Sequence, residues 1–597
     1  MVSIDEVNHL FRRLLIVPFV SLIMSAAAFA QTVVTADFST RFGAPSHSGA
    51  GFLYGMTEDG TGPNDSLLYP LQVTMMRGSG GGLPGGGWVG DGYRAGAGYY
   101  RRLNSALNQA RRVTRYPYHA TYVLQLDALY GEDANVPNEI WPCDNGNPAI
   151  YLAFIDQVIS DVNAWGLNVS FEVQNEPDNS GFWQRGLDSP QYFQMWDTAV
   201  REIRRLKPGA SIVGPSYSNF HDVKIFNWLQ HVQADGTLPN TLNWHFSGIP
   251  ISDGTEVAGM LASLGITGVG LSMNEYLTPS QQNSAYTAWY LTQLGKSNIG
   301  QAAHAVWGNI YDGTLCQTLV NVNGTMQPTG QYWAMRRYAD QSGVGVSTQG
   351  NGGLDLIAAT DSSSSKATIL LGDNNQFTGN MTVNITGLNT TPYLIRNNWV
   401  QVTVERIPDT GPNPLSSPIP TQVFSAFVNN GQTSITIPWA APYDAYAITL
   451  NPADFSGGFH TLTPMNAQGS RLDASGWGTT NGTKVQIWQA SGGTNQLWYF
   501  SSNGDGSYSL APSYAPGMAL DVSGMGTGNG TLVQLWQATG ASNQKWFANG
   551  VGGNTYSLQP GHAPSMRLDV SGFGTANGTQ IQIWQATGGS NQLWQIN

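Results

Sequence analysis

The stretch Phe171-Glu172-Val173-Gln174-Asn175-Glu176-Pro177-Asp178 decides how residues 31–345 are read. Val169–Val173 is a short apolar run, as a strand buried on both faces presents. Pro177 has no N–H for a ladder, so the strand is expected to stop there with Glu176 at its C-terminal end. Seven further short runs flank it: Phe52–Met56, Val73–Arg77, Tyr122–Asp127, Ser211–Pro215, Leu242–Phe246, Gly268–Met273 and Ala302–Trp307. Helical patterns lie between most of them. Ile150–Trp165 places Phe154, Ile155, Val158, Ile159 and Val162 at spacings of three and four, and Tyr192–Leu206 does the same with Trp196, Ala199, Val200 and Ile203. Gly330–Ala339 is the last expected helix. Eight alternating units predict a closed (β/α)8 TIM barrel. An open doubly wound sheet is the rival, and acids at strand ends favour the barrel.

The seventh run leads into Asn274-Glu275-Tyr276, so two carboxylates, Glu176 and Glu275, are expected at the mouth where barrels carry chemistry. Such a pair suits cleavage of a glycosidic bond. One carboxyl protonates the leaving oxygen and the other attacks the anomeric carbon; a separation of about 5–5.5 Å gives retention and about 6.5–9.5 Å gives inversion. A negative Glu275 nearby is expected to raise the pKa of Glu176. Glu172 reads as a member of a buried network. The glycine-rich run Gly78–Gly98 lacks Gly-Lys-Ser/Thr, so it reads as a loop that shapes the cleft, with Trp88 and Tyr93 in reach of a ligand, and not as a phosphate cradle. The 9 histidines form no His-x-x-x-His or His-x-His pair, so neither a metal nor a cofactor is expected.

Beyond residue 345 the pattern changes. Lys366–Leu371, Met381–Ile385, Tyr393–Val404, Val423–Val428, Thr433–Ile437 and Ala445–Leu450 read as strands of an antiparallel β-sandwich over residues 346–454. Val33–Ser39, within residues 31–48, is a candidate to pair into it. Pro408–Pro420 carries five prolines and reads as a loop. Residues 455–597 hold a repeat with a period of 48: Arg471-Leu-Asp473, Ala519-Leu-Asp521 and Arg567-Leu-Asp569. Each is followed by Gln-x-Trp (Gln486/Trp488, Gln534/Trp536, Gln582/Trp584) and closed by Asn-Gln-x-Trp (Asn495/Trp498, Asn543/Trp546, Asn591/Trp594).

Composition limits the partners. Charged and aromatic residues each make up 11% of the chain, with 19 Trp and 25 Tyr, which suits stacking on a neutral ligand such as a sugar. The net charge of −12 and the absence of any basic run beyond pairs such as Arg204-Arg205 exclude nucleic acid. Arg12-Arg13, the apolar run Leu14–Met24 and Ala28-Phe29-Ala30 read as a signal peptide over residues 1–30, hence a secreted chain with no membrane association after cleavage. Cys143 and Cys316 permit one disulfide, but their spacing does not place them together.

The residues carry two resemblances. Asn175-Glu176-Pro177 after the fourth strand and Glu275 ending the seventh resemble the clan A retaining glycoside hydrolases. Phe-Glu-Val-x-Asn-Glu-Pro-Asp is similar to glycoside hydrolase family 39, the β-xylosidases and α-L-arabinofuranosidases, in which a barrel carries a β-sandwich. Leu271-Ser-Met-Asn-Glu-Tyr276 departs from the Thr-Glu-Trp of that family, so the likeness holds at clan level. It implies Glu176 as acid/base, Glu275 as nucleophile, Asn175 on the sugar 2-OH, His245 near the nucleophile, Trp307 as platform, Arg77 orienting the nucleophile and Tyr276 among the substrate contacts. The three Gln-x-Trp units resemble ricin-type β-trefoil lectins, carbohydrate-binding module family 13. That implies sugar contacts from Asp473, Asp521 and Asp569, from Gln486, Gln534 and Gln582, and from Asn495, Asn543 and Asn591. Trp488, Trp536 and Trp584 would stack on the ring, and Trp498, Trp546 and Trp594 would be core. Together these imply an enzyme on pentose-containing hemicellulose or arabinogalactan. The alternatives are an endo-β-glucanase or galactanase, or a lectin with an inactive barrel. The partner is a polysaccharide or oligosaccharide, and the oligomeric state is open.

Overall fold

The computed structural model describes residues 32–597 except 397, 504, 553 and 554. The expected signal segment, residues 1–30, lies outside the described residues. After an N-terminal strand β1 (Thr32–Arg41), eight parallel strands close into a barrel. They are β2 (Gly51–Leu53), β3 (Met75–Gly78), β4 (Thr121–Gln125), β5 (Ser170–Glu172), β6 (Ser211–Tyr217), β7 (Thr241–His245), β8 (Gly270–Tyr276) and β9 (Gln301–His304). β2 pairs with both β3 and β9, which completes the ring.

The outer helices follow the sequence periodicity. The helix Pro190–Leu206 starts with Pro190 at its first position, and the Ser189 side chain accepts from Tyr192 N. Its stripe of Tyr192, Met195, Trp196, Ala199, Val200 and Ile203 is buried against the barrel. The contact is close enough to require glycine on β6: a Cβ at Gly214 would stand 2.3 Å from the Trp196 ring.

The ends of the strands differ from the sequence reading, and the differences build the mouth. β5 stops at Glu172, its last residue in register with both β4 and β6. Residues 173–178 therefore form an irregular turn, and Glu176 N donates to Ser216 O at 3.0 Å. β8, in contrast, runs through Glu275 to Tyr276. Trp307 lies in the loop beyond β9. Register shifts between Pro215 and Tyr217, Trp244 and His245, and Met273 and Tyr276 distort three consecutive strands at the same rim. Such bulges re-aim side chains.

The second unit is one nine-stranded sheet curled around its own core. Its members besides β1 are β12 (Val344–Gln349), β13 (Leu354–Asp361), β14 (Lys366–Asp373), β15 (Gly379–Thr386), β16 (Trp399–Ile407), β17 (Ile419–Phe427), β18 (Thr433–Trp439) and β19 (Ala445–Pro452); β10 (Leu319–Val322) and β11 (Thr325–Pro328) form a separate hairpin. The strand order is β17-β16-β19-β14-β13-β12-β1-β15-β18. The two ends of that order meet where Gln422 Nε2 donates to Thr436 O at 3.0 Å. β1 pairs antiparallel with β12 and parallel with β15, so the sheet is mixed and not wholly antiparallel. From β1 in this sheet the chain thus passes through the barrel and returns to the same sheet. The stretch read as one strand over Tyr393–Val404 is a 3-10 turn at Pro392–Leu394 followed by β16. Pro420 falls in β17, an edge strand, where a missing N–H is tolerated.

Residues 458–596 form a β-trefoil. Trp498, Trp546 and Trp594 are fully buried, and their Nε1 atoms donate to Leu472 O, Leu520 O and Leu568 O at 3.0, 2.9 and 3.0 Å. The same bond thus recurs in every repeat. Among the described residues, no helix is long and apolar enough to cross a membrane.

Candidate active site

A cavity of about 570 Å³ opens at the C-terminal ends of the barrel strands, and both Glu176 and Glu275 line it. Arg77, on β3, organises its floor. This side chain is fully buried. Its Nε donates to Glu172 Oε2 at 2.8 Å and its Nη2 to Glu172 Oε1 at 2.5 Å. Nη1 donates to Glu275 Oε1 and Nη2 to Asn175 Oδ1, each at 2.6 Å. One guanidinium therefore neutralises two carboxylates and fixes the amide between them. Burial works against the charge of Arg77, but Glu172 and then Glu275 more than restore it, so its pKa is raised. Burial pushes Glu172 upward, yet the charge and bonds of Arg77, with Asn274 Nδ2 donating at 2.8 Å, hold it below the ordinary value. Glu172 is the buried network member read from sequence.

His245 ends β7 between the two outer carboxylates. Its Nδ1 lies 3.0 Å from Glu176 Oε1 and 3.6 Å from Glu275 Oε1. This nitrogen and one oxygen of each carboxylate all fall within 4.8 Å of one another. Asn179 Nδ2 donates to Glu176 Oε2 at 2.8 Å. The pKa of Glu176 is lowered, against the expectation of a raised one. Burial pushes it upward, but the His245 hydrogen bond and charge, then Asn179 and Arg77, outweigh burial. Repulsion from Glu275 does not prevail, because His245 lies against Glu176 and Arg77 neutralises Glu275 at 2.6 Å.

The rim is strained. Glu176, Ser216 and Leu277 have φ of 38°, 61° and 69°, a region that non-glycine residues seldom occupy and that clusters at functional sites. Trp307 lines the cavity, half-exposed, with Nε1 donating to Leu277 O at 2.8 Å. Its ring stacks on Phe246, 5.8 Å between centroids and 27° between planes. The two rings offer an apolar wall of the kind that receives the flat face of a sugar.

Three expectations are corrected. Tyr276 is not among the residues lining the cavity: alternation on β8 turns it outward when Glu275 faces in. Its hydroxyl donates to Gly49 O at 2.7 Å and its ring stacks on Tyr290. Trp88 is packed edge-on against Tyr99 and Phe154, away from the cavity. The Tyr93 hydroxyl accepts from Ile140 N at 2.7 Å and holds a loop. Conversely, Tyr54, Gln125, Asp127, Glu132, Asn179 and Phe246 line the cavity and were not singled out. Asp127 had a legible signal, since it closes the third apolar run as Glu275 follows the seventh.

Among the described residues, two acid–histidine clusters are close enough to hold a cation, and both already have protein partners. In the first, Glu275 pairs with Arg77 and Glu176 with His245. In the cluster of Asp197, His231 and Asp235, Asp235 pairs with Arg201 at 3.0 Å and Asp197 accepts from Thr237 Oγ1 at 2.6 Å. Cys143 and Cys316 are both buried and not joined by a disulfide, and Cys316 Sγ donates to Leu53 O at 3.1 Å.

In the trefoil, the outward-facing members of the motif are Trp488, Trp536 and Trp584, 42%, 39% and 39% exposed. The aspartates expected to accept from sugar are instead buried hubs. Asp473 Oδ1 accepts from Gln486 at 3.0 Å, and Oδ2 from Asn495 at 2.8 Å and Gln496 at 3.0 Å. Asp521 binds Gln534, Asn543 and Gln544 in the same way, and Asp569 binds Gln582, Asn591 and Gln592. Each carboxylate thus sets the rotamers of its lobe. Beside each exposed Trp the lobes differ: Trp477, Met525 and Phe573 occupy equivalent exposed positions.

Comparison with known proteins agrees with this division. Residues 454–536 and 537–597 match the ricin-type beta-trefoil lectin domain-like family. A 3-O-beta-L-arabinopyranosyl-alpha-L-arabinofuranosidase of Bifidobacterium pseudocatenulatum is 22% identical over 484 residues, covering 71% of this chain and 48% of that protein. The chain therefore spans about half the length of this curated relative. Among solved structures, N2152 from Neocallimastix frontalis superposes with a TM-score of 0.59 at 23% identity, covering 71% of this chain and all (100%) of that one. A glucosidase from Croceicoccus marinus superposes with a TM-score of 0.51 at 14% identity, again over 71% of this chain and 100% of the other. At these identities the likeness establishes the fold of the barrel and its sheet.

Proposed function

We propose that this chain is a secreted retaining glycoside hydrolase that acts by double displacement on pentose-containing plant polysaccharide. The observation that carries the reading is the close pair of carboxylates. An oxygen of Glu176 and an oxygen of Glu275 lie within 4.8 Å across one cavity, nearer the about 5–5.5 Å spacing of retaining sites than the about 6.5–9.5 Å of inverting ones. Their surroundings support distinct roles. Glu275 is tethered to Arg77 Nη1 at 2.6 Å, which aims it as a nucleophile. Glu176 sits opposite, against His245 and Asn179, where it protonates the leaving oxygen and then draws a proton from water. Asn175, oriented by Arg77, faces the same cavity as a partner for a ring hydroxyl. The pentose reading is supported by the arabinofuranosidase in the name of the relative. The exposed tryptophans of the trefoil support retention on a polymer, where three weak sites add by effective concentration.

The test is product release from arabinoxylan, xylan and arabinogalactan by wild type, Glu176→Gln and Glu275→Gln, with the first-formed anomer read by NMR. Retained configuration, with activity lost in both variants, is expected. Undiminished activity in the variants overturns the assignment, and an inverted product overturns the double displacement. An inactive wild type that still binds these glycans favours a lectin.

A further inference from the structure

One end of the cavity carries chemistry that the catalytic pair does not use. Gln125 ends β4, Asp127 lies in the short helix Leu126–Tyr130 that follows, and Glu132 opens the next 3-10 turn. All three line the cavity, and each is at least nine-tenths buried, with 5%, 5% and 6% of its surface exposed. Among the described residues, Gln125 Oε1, Asp127 Oδ1 and Glu132 Oε1 have no hydrogen-bond partner. Three buried acceptors left open at one place are costly and call for donors.

Their neighbours are already committed. Asp133 accepts from Arg102 Nη1 and from Gly82 N, each at 2.6 Å, which ties the glycine-rich loop down over this end. Tyr311 Oη donates to Gly81 O at 2.8 Å and closes it from the loop after β9. Gln174 Nε2 donates to Glu132 Oε2 at 2.8 Å and so fixes which oxygen of Glu132 stays free. The lining includes the five carboxylates of Asp127, Glu132, Asp133, Glu176 and Glu275, and no lysine or arginine. Arg77 is taken up by Glu275 and Arg102 by Asp133, so an anionic ligand finds no free cation beside Asp127 and Glu132, whereas a hydroxyl-rich neutral ring supplies the missing donors.

We propose that Gln125, Asp127 and Glu132 form a hydroxyl-accepting subsite that holds a neutral sugar at the closed end of the cleft and selects it over uronic acids. This rests on the glycosidase reading and names the class of sugar that the same site takes. Burial first, then neighbouring carboxylates, push Asp127 up to about 7 and Glu132 well above the usual range, as acidic groups buried together without a cation of their own require.

The test is equilibrium titration of the full chain with D-xylose, L-arabinose, D-galactose and D-glucose, and with D-glucuronate and D-galacturonate. Wild type is compared with Asp127→Ala/Glu132→Ala and with the isosteric Asp127→Asn/Glu132→Gln. Binding by the trefoil is common to all three proteins and cancels in the difference. The expected result is a neutral sugar bound by wild type about ten- to hundred-fold more tightly than by the alanine pair, as lost hydrogen bonds to carboxyl groups predict. The melting temperature of the isosteric pair should be unchanged or higher, because it replaces two buried carboxyl groups that have no ion-pair partner. Equal affinity in the variants, equal affinity for uronates, or a loss of binding matched by a fall in melting temperature in both variants would overturn the proposal. If the difference in binding stands while no glycan is cleaved, hydrolysis is refuted and the subsite is kept. If cleavage persists with unchanged KM in the variants, the subsite is refuted and hydrolysis is kept.

Discussion

Replacing Arg77 by Met removes one cation from a cluster whose other members stay buried. Glu172 loses contacts at 2.8 and 2.5 Å, Glu275 loses one at 2.6 Å and Asn175 Oδ1 loses one at 2.6 Å. Removing one partner of a buried ion pair costs about 3–5 kcal/mol, because the charge left behind is uncompensated. Two carboxylates are left here, but Glu275 keeps 11% of its side-chain surface exposed and has His245 Nδ1 at 3.6 Å, so Glu172 carries most of the penalty. A loss of about 4 kcal/mol near pH 7 is therefore expected, which lowers the melting temperature of the barrel by about 10 °C. The sign of the pH dependence follows from Glu172. In wild type its pKa is depressed by Arg77, so the stability it contributes is present above its unfolded pKa and is lost as pH falls. In the variant only burial remains to act strongly, the pKa rises, and the penalty fades as the carboxyl becomes protonated. The gap between the two proteins should therefore be widest near neutrality and narrow toward about pH 4.5. Calorimetry at both pH values measures it, and Arg77→Met/Glu172→Gln should recover about 2 kcal/mol. A loss below about 1 kcal/mol, or one that does not change with pH, would refute this account of the cluster.

Three further outcomes are expected. Tyr276→Phe leaves Gly49 O unpaired in the core and should cost about 1–3 kcal/mol in denaturant melts while kcat/KM stays unchanged; a selective loss of activity would return Tyr276 to the substrate contacts. His245→Gln removes the strongest influence holding Glu176 down, so the pKa of Glu176 rises and the basic limb of the kcat/KM profile moves to higher pH; an unmoved or lowered limb contradicts that role. Trp488→Ala, Trp536→Ala and Trp584→Ala should each weaken retention on insoluble xylan about tenfold or less, with a much larger loss in the triple variant and no effect on a small soluble substrate. Equal losses on soluble and insoluble substrates would argue against a tethering role.

Much of this architecture is local and therefore legible. All eight barrel strands were placed to within a few residues, because each is a short apolar run bounded by polar turns. The 48-residue repeat specified the trefoil, down to the three buried tryptophans with identical Nε1 bonds. Glu176 and Glu275 were found because strand ends in a barrel converge, whatever lies between them in sequence. Three matters were decided only by the folded chain. Alternation along β8, combined with its bulge, set Glu275 inward and Tyr276 outward, and a pattern without register could not assign the faces. Glu132 came to share a cavity with Glu176 and Glu275 only when the loop after β4 folded back beneath Gly82, which Asp133 holds through a bond 51 residues apart in sequence. His245, 69 residues away in sequence, reversed the expected shift of Glu176 with help from Asn179 and Arg77, through contacts that only the closed barrel brings together. Periodicity is a property of neighbours along the chain; charge and hydrogen bonding act through space, and closure of the barrel decides which distant groups share that space.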